Sequence, residues 1–163
     1  MDKTKLLFVC LGNICRSPSA EAVMKALIER EKLTANFEID SAGITGYHAG
    51  DPADERMQRH AIQRGYQLTS ISRPVNSTVD FDYFDYLIGM DGQNINDLEE
   101  MAPDESGRQK IRLMTNYCTL HNHTSVPDPY YGGAAGFELV LDILEDACQG
   151  LLEQLQNGKE SPH

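Results

Sequence analysis

The hydrophobic pattern of the chain switches repeatedly between strand-like and helix-like spacing. LLFVC, residues 6–10, is a continuous apolar run of strand length, the signature of a strand buried on both faces. After it, Ala20, Val23, Met24, Leu27 and Ile28 recur at i, i+3, i+4, i+7 and i+8, which puts them on one face of a helix. Ser17 is the expected N-cap of that helix, and Pro18 falls in the first turn, which tolerates its missing N–H. Phe37 and Ile39 alternate in a short second strand. DPADERMQRHAIQRG, 51–65, has an aspartate cap, a proline at the first position and a closing Gly65, which predicts a second helix. YLIGM (86–90) and KIRLM (110–114) read as the third and fourth strands, with Ile95, Leu98 and Met101 on a short helix between them. Phe137, Val140, Leu141, Leu144, Cys148, Leu151, Leu152 and Leu155 form the stripe of a long C-terminal helix. Strand and helix alternate throughout, so the expected fold is α/β: one domain with a four-stranded parallel sheet and helices on both faces. Ligands of such sheets bind at the carboxyl ends of strands, and Cys10 ends the first.

Composition narrows the setting. The 163 residues suit a single domain, expected over 1–156 and large enough to bury about 70% of its unfolded surface. NGKESPH, 157–163, reads as a flexible tail. No apolar run approaches the ~20 residues that cross a bilayer. The apolar core of MDKTKLLFVC is too short for a signal peptide, with Asp2 and Arg16 crowding it. Cysteines at 10, 15, 118 and 148 show neither dense spacing nor a CxxC pair, so neither a disulfide framework nor a zinc site is expected, and the expected location is cytoplasmic. The net charge of −11 argues against nucleic acid or an anionic membrane as partner. An anionic substrate must then be held by local positive potential against a repulsive global field.

The turn after the first strand can supply that potential. A loop running from a strand into a helix aims successive N–H groups at one point, and the helix N-terminus adds partial positive charge. Gly12 allows a positive φ and Asn13 tolerates one, while Arg16 offers a planar fork for two phosphate oxygens. Cys10 is expected there as a thiolate, a nucleophile aimed at phosphorus. A Walker loop would need GxxxxGK[ST] and a dinucleotide turn GxGxxG; both are absent.

CLGNICRS, 10–17, matches Cys-x5-Arg-Ser, and DSAG (40–43), GDPAD (50–54), GMD (89–91) and VPDPYYGG (126–133) follow in order. On these segments the chain resembles the low-molecular-weight protein tyrosine phosphatase family over nearly its whole length. The resemblance implies that Cys10 attacks phosphorus to form a phosphocysteine, that Arg16 and the amides of Leu11, Gly12, Asn13, Ile14 and Cys15 bind the phosphoryl oxygens, and that Asp128 is the general acid and base. It implies that Ser17 assists the sulfur as leaving group, that Ser41 and Asn13 prop the loop, and that Tyr47, Tyr130 and Tyr131 contact the substrate ring. Pro127 and Pro129 would restrict the acid loop. No metal or other cofactor is implied. The implied partner is a phosphotyrosine-containing protein, and the implied assembly a monomer or weak dimer.

Each of these residues has a plainer reading. A cysteine ending a buried strand is commonly core, Asp-Pro is turn chemistry, and paired tyrosines are commonly packing. The resemblance gives Cys15 a reversible disulfide with Cys10 under oxidation. Cys148 lies on the apolar stripe and reads as core; Cys118 stays unassigned. HNH, 121–123, reads as a solvated loop, since no further ligand pattern accompanies it. Residues 66–100 hold no cysteine, which argues against an arsenate reductase of similar fold. Arginine phosphatases of this fold typically carry threonine at the position of Ile14 and lack the tyrosine pair, so Ile14 favours a flat phenol ring. A binding module with a dead site would have lost Cys10, Arg16 or Asp128. Two departures from the family pattern stand out: Ser70 replaces a common loop-supporting histidine, and Ile44 a common threonine.

Overall fold

A computed structural model describes residues 3–120, 122–130 and 132–158. Tyr131, His121 and the tail beyond Gly158 lie outside the described residues. In chain order the elements are β1 (Thr4–Cys10), α1 (Arg16–Arg30), β2 (Phe37–Gly43), α2 (Glu55–Gln63), α3 (Asp80–Tyr83), β3 (Tyr86–Gly89), α4 (Gly92–Met101), α5 (Glu105–Arg108), β4 (Ile111–Leu113) and α6 (Ala134–Gln156). The four strands form one parallel sheet in the order β2-β1-β3-β4.

The continuous apolar run of β1 follows from its place inside this sheet. Successive strand side chains point to opposite faces, so Leu6, Phe8 and Cys10 join one core with Met24 and Leu27 of α1 and Leu141 and Leu144 of α6. Leu7 and Val9 join a second core with Phe81, Phe84 and Leu98. Helices therefore cover both faces, as the alternation of periods predicts.

Two helix starts differ from the sequence reading. α1 begins at Arg16 behind Cys15 with no side-chain cap, because the Ser17 hydroxyl is taken by groups of the loop. Pro18 still lies in the first turn. The cap of α2 lies three residues beyond the first aspartate: Asp54 accepts from the N–H groups of Arg56 and Met57, whereas Pro52 pairs with Ile71 in an isolated bridge. Gly65 ends that region at φ 89°, as a closing glycine should. The short α3 and α5 carry too few residues to show a period.

α2 is fastened to α6 by charge. Arg64 binds Glu138 at 2.6 Å, Asp142 at 2.9 Å and Glu145 at 2.8 Å, and His60 stacks on Phe137 while bonding Glu138. The C-terminal part of β2 is covered by the segment at 73–75: Gly43 N–H donates to the Arg73 carbonyl and Val75 N–H to the Gly43 carbonyl, both at 2.8 Å. That segment runs on into the site.

Candidate active site

The loop between β1 and α1 is pinned on every side. The N–H groups of Ile44 and Thr45 donate to the carbonyls of Cys10 and Leu11 at 2.9 and 3.0 Å. The Thr45 hydroxyl adds a 3.3 Å bond to Leu11, while Ile44 packs into the second core. Ser72 donates to the Gly12 carbonyl at 3.0 Å, and Asp54 N–H to the Ile14 carbonyl at 2.8 Å. Asn13 takes the expected left-handed conformation, φ 57°. Gly12 does not. Its missing side chain matters instead for space, since a Cβ there would lie 3.1 Å from His48 Cδ2.

Under the loop runs a chain of polar contacts. The Asn13 amide donates to Ser17 Oγ at 2.8 Å and to Ser41 Oγ at 3.0 Å, and its oxygen accepts from Arg73 N–H at 3.1 Å. Ser17 Oγ lies 3.1 Å from Cys10 Sγ, and Asn13 N–H donates to the same sulfur at 3.3 Å. One loop amide and one hydroxyl thus converge on the sulfur. Ser70 stands away from this chain, bordering a shallow cleft with Pro18, Glu21 and Lys25; Ser72 and Arg73 do the supporting.

Arg16 is 3% exposed. Its Nη1 donates to Asp91 at 2.6 Å and to the Val126 carbonyl at 3.0 Å, and its Nη2 lies 3.6 Å from Asp128. Burial works against its charge, but Cys10, Asp91 and Asp128 outweigh that and raise its pKa. Burial first, then Asp54, Cys10 and Asp128, pushes the Cys15 thiol upward.

The loop carrying Asp128 is tied to the same frame. Val126 N–H donates to the Met90 carbonyl at 2.8 Å, and Arg56 donates to the Tyr130 carbonyl at 2.9 Å. Arg56 lies over the rings of Tyr130 and Phe137, 5.4 and 5.0 Å from their centroids, and pairs with Asp54. Hydrogen bonds from Arg56 and the backbone overcome burial to lower the Asp54 pKa. Asp128 is 41% exposed on its side chain, with one oxygen accepting from Tyr130 N–H.

A cavity of about 380 Å³ brings together Cys10, Leu11, Gly12, Ile14, Cys15, Arg16, Asp128 and Tyr130. Asn13, Ser17 and Ser41 lie beneath it as supports. Tyr47 touches its mouth but is 87% exposed, a rim residue rather than a wall. Sequence reasoning missed four contributors: Asp91, which holds the guanidinium; Ser72 and Arg73, which hold the loop; and His48, which lines the cavity beside Tyr130. Asp91 lay within the quoted GMD segment; the others carried no local signal. Cys148 is core, and Cys118 is half-buried against α6, its thiol pushed up to about 12 by burial and then by Asp146. Among the described residues, no three His, Cys, Asp or Glu side chains cluster as metal ligands.

The family model described as low molecular weight phosphotyrosine protein phosphatase matches residues 5–161. A low molecular weight protein-tyrosine-phosphatase of Streptomyces coelicolor is 39% identical, covering 96% of each chain. A protein tyrosine phosphatase structure from Entamoeba histolytica superposes with a TM-score of 0.93 at 54% identity, over 96% of this chain and 99% of that one. The structure of a Drosophila arginine phosphatase gives a TM-score of 0.87 at 33% identity, over 94% of this chain and 98% of that one. With a Cys-x5-Arg loop after β1, a carboxylate facing it and these matches along almost its full length, the chain belongs to the low molecular weight phosphotyrosine protein phosphatase family.

Proposed function

We propose that this enzyme hydrolyses phosphotyrosine in proteins through a phosphocysteine intermediate. The observation that carries the reading is the shared cavity: sulfur, guanidinium and carboxylate of Cys10, Arg16 and Asp128 face one space with a tyrosine beside it. In the first step the Cys10 thiolate attacks phosphorus and the bond to the tyrosine oxygen breaks. Phenolate leaves poorly, since phenol has a pKa near ~10, so protonated Asp128 gives that oxygen its proton. Arg16 and the loop amides of Leu11 to Arg16 hold the three equatorial oxygens as charge shifts between them. In the second step water attacks phosphorus, Asp128 takes its proton, and the sulfur leaves as thiolate under the Ser17 hydroxyl. The positive potential comes from Arg16, which Asp91 holds in place, and from backbone dipoles.

Ile14 fills the cavity wall where a smaller polar residue would leave room for a guanidinium, which favours the phenol ring over phosphoarginine. Tyr130 on one side and Tyr47 at the rim are the ring contacts among the described residues. The solved arginine phosphatase makes the competing substrate concrete. Turnover of matched phosphotyrosine, phosphoarginine and phosphoserine peptides decides: a clear preference for phosphotyrosine is expected, and a preference for phosphoarginine overturns the substrate assignment.

Cys15 gives the site a protective route. Peroxide converts the Cys10 thiolate to a sulfenic acid; Cys15 sulfur then displaces hydroxide from it, which leaves as water with the Cys15 proton, closing a disulfide. A linked Cys10–Cys15 peptide after mild peroxide is the expected product in mass spectrometry. A reducing, cytoplasmic setting suits a reactive thiolate and free cysteines at 10, 15, 118 and 148.

A further inference from the structure

Glu21 lies outside the chemistry above, yet it is 6% exposed and wired to the loop. One of its oxygens accepts the Ser41 hydroxyl at 2.6 Å and the other accepts Lys25 at 2.6 Å. Lys25 is half exposed, so the carboxylate meets a solvated cation on one side and a buried hydroxyl on the other.

Counting donors fixes the direction of each proton as far as Ser17. Ser41 has one hydroxyl proton, and the carboxylate takes it. Ser41 Oγ can then only accept from Asn13, which fixes one amide hydrogen of Asn13. Arg73 N–H, an obligate donor, meets the Asn13 oxygen and locks the same orientation from the other side. The second amide hydrogen of Asn13 goes to Ser17 Oγ. Ser17 accepts there and has its own proton left for Cys10 Sγ at 3.1 Å, nearer than its other acceptor, the Ala42 carbonyl at 3.4 Å.

We propose that Glu21 is a positioning residue that sets the direction of this relay, so that Ser17 donates to Cys10. Without the carboxylate, Ser41 is free to donate toward Asn13. The amide then loses one of its two locks, and Ser17 can spend its proton on a turned Asn13 oxygen instead of on sulfur. The inference rests on the reading of Cys10 as nucleophile. A relay also has a sign opposite to that of simple charge. Removing a nearby negative charge through space would favour the thiolate, whereas losing a donor to sulfur disfavours it.

The charged groups around both ends are few. Facing Cys10 are Arg16 of α1 with its partners Asp91 and Asp128, the Cys15 thiol, and His48 across the cavity. Facing Glu21 are Lys25 on its own helix and, beyond Ser41 on β2, Asp40, which accepts Ser41 N–H and pairs with Arg73. Among the described residues, the segment bordering Glu21 from the other side presents Gln67, Thr69 and Ser70, all uncharged.

The test is the pH dependence of Cys10 alkylation by iodoacetamide, followed by mass spectrometry of the Cys10 peptide. It compares the wild-type protein with Glu21→Met, which fills the same volume without an acceptor, Ser41→Ala and the double variant. The relay predicts that the midpoint rises by roughly half a pH unit or more in Glu21→Met. It should rise similarly in Ser41→Ala, and no further in the double variant, because both act through one path. An unmoved or lowered midpoint in Glu21→Met, or additive shifts in the double variant, overturns the relay. Glu21→Leu also lacks an acceptor and carries the same expectation should the methionine variant not fold. Turnover in Cys10→Ser keeps the two readings apart. If it is abolished while Glu21→Met is unmoved, only the relay falls; if it persists, the nucleophile assignment falls.

Discussion

At the scale of residues, the site depends on groups with opposite demands placed a few ångströms apart. Arg16 is buried, and a buried charge needs partners; Asp91 and the Val126 carbonyl supply them. Asp91 thereby satisfies one face of the guanidinium and turns the other toward the cavity. Asp128 sits at the opposite limit, partly exposed and 3.6 Å from the guanidinium. That freedom suits the proton donor and acceptor proposed for Asp128. Replacing Asp128 by alanine should lower kcat for phenyl phosphate about 100-fold or more, the usual contribution of a general acid. For an ester whose leaving group departs without help, the loss should be several-fold smaller. Equal losses for both esters, read from steady-state kinetics, would remove Asp128 from the acid role.

At the scale of elements, the close approach of α6 to the turn after β4 shows how tightly the helices are set. A Cβ at Gly150 would lie 1.9 Å from the Tyr117 carbonyl oxygen, a position that only glycine allows. Overpacking costs about 1–3 kcal/mol where side chains can yield, and here the obstacle is backbone. Gly150→Ala should therefore lower Tm by roughly 5 °C or more; an unchanged melting curve would show that α6 runs farther from Tyr117. Elements with long apolar patterns were legible in the sequence: β1 from its unbroken run, α1 and α6 from their stripes. The start of α2 was not, because Asp51 and Asp54 both have the chemistry of a cap and only tertiary contacts choose Asp54. The same limit explains the site. Cys10, Arg16 and Asp128 were visible through a motif and a family pattern, and the structure gathers them in one cavity. Ser72, Arg73 and His48 reach the loop across folds of the chain, where no spacing rule points, and Glu21 is linked to it only through Ser41 of β2.

At the scale of the whole molecule, the charge of −11 surrounds a site built to hold an anion. Screening lengths shrink from about 30 Å at 0.01 M salt to about 10 Å at 0.1 M, which weakens the distant repulsion more than contacts inside the cavity. For an acidic phosphotyrosine peptide, kcat/KM should rise roughly two-fold or more over that range, with little change for a basic peptide. A fall with salt for the acidic peptide would contradict this reading of the net charge.

In the proposed chemistry, phosphorus passes through Cys10. Acid-quenching the enzyme during turnover of a phosphate monoester and mapping the phosphoryl group by mass spectrometry addresses it directly. A phosphoryl group on the Cys10 peptide that disappears when the substrate is exhausted is the expected result. A wild-type enzyme that turns over with no phosphocysteine, together with a Cys10→Ser variant that still hydrolyses the ester, would contradict it.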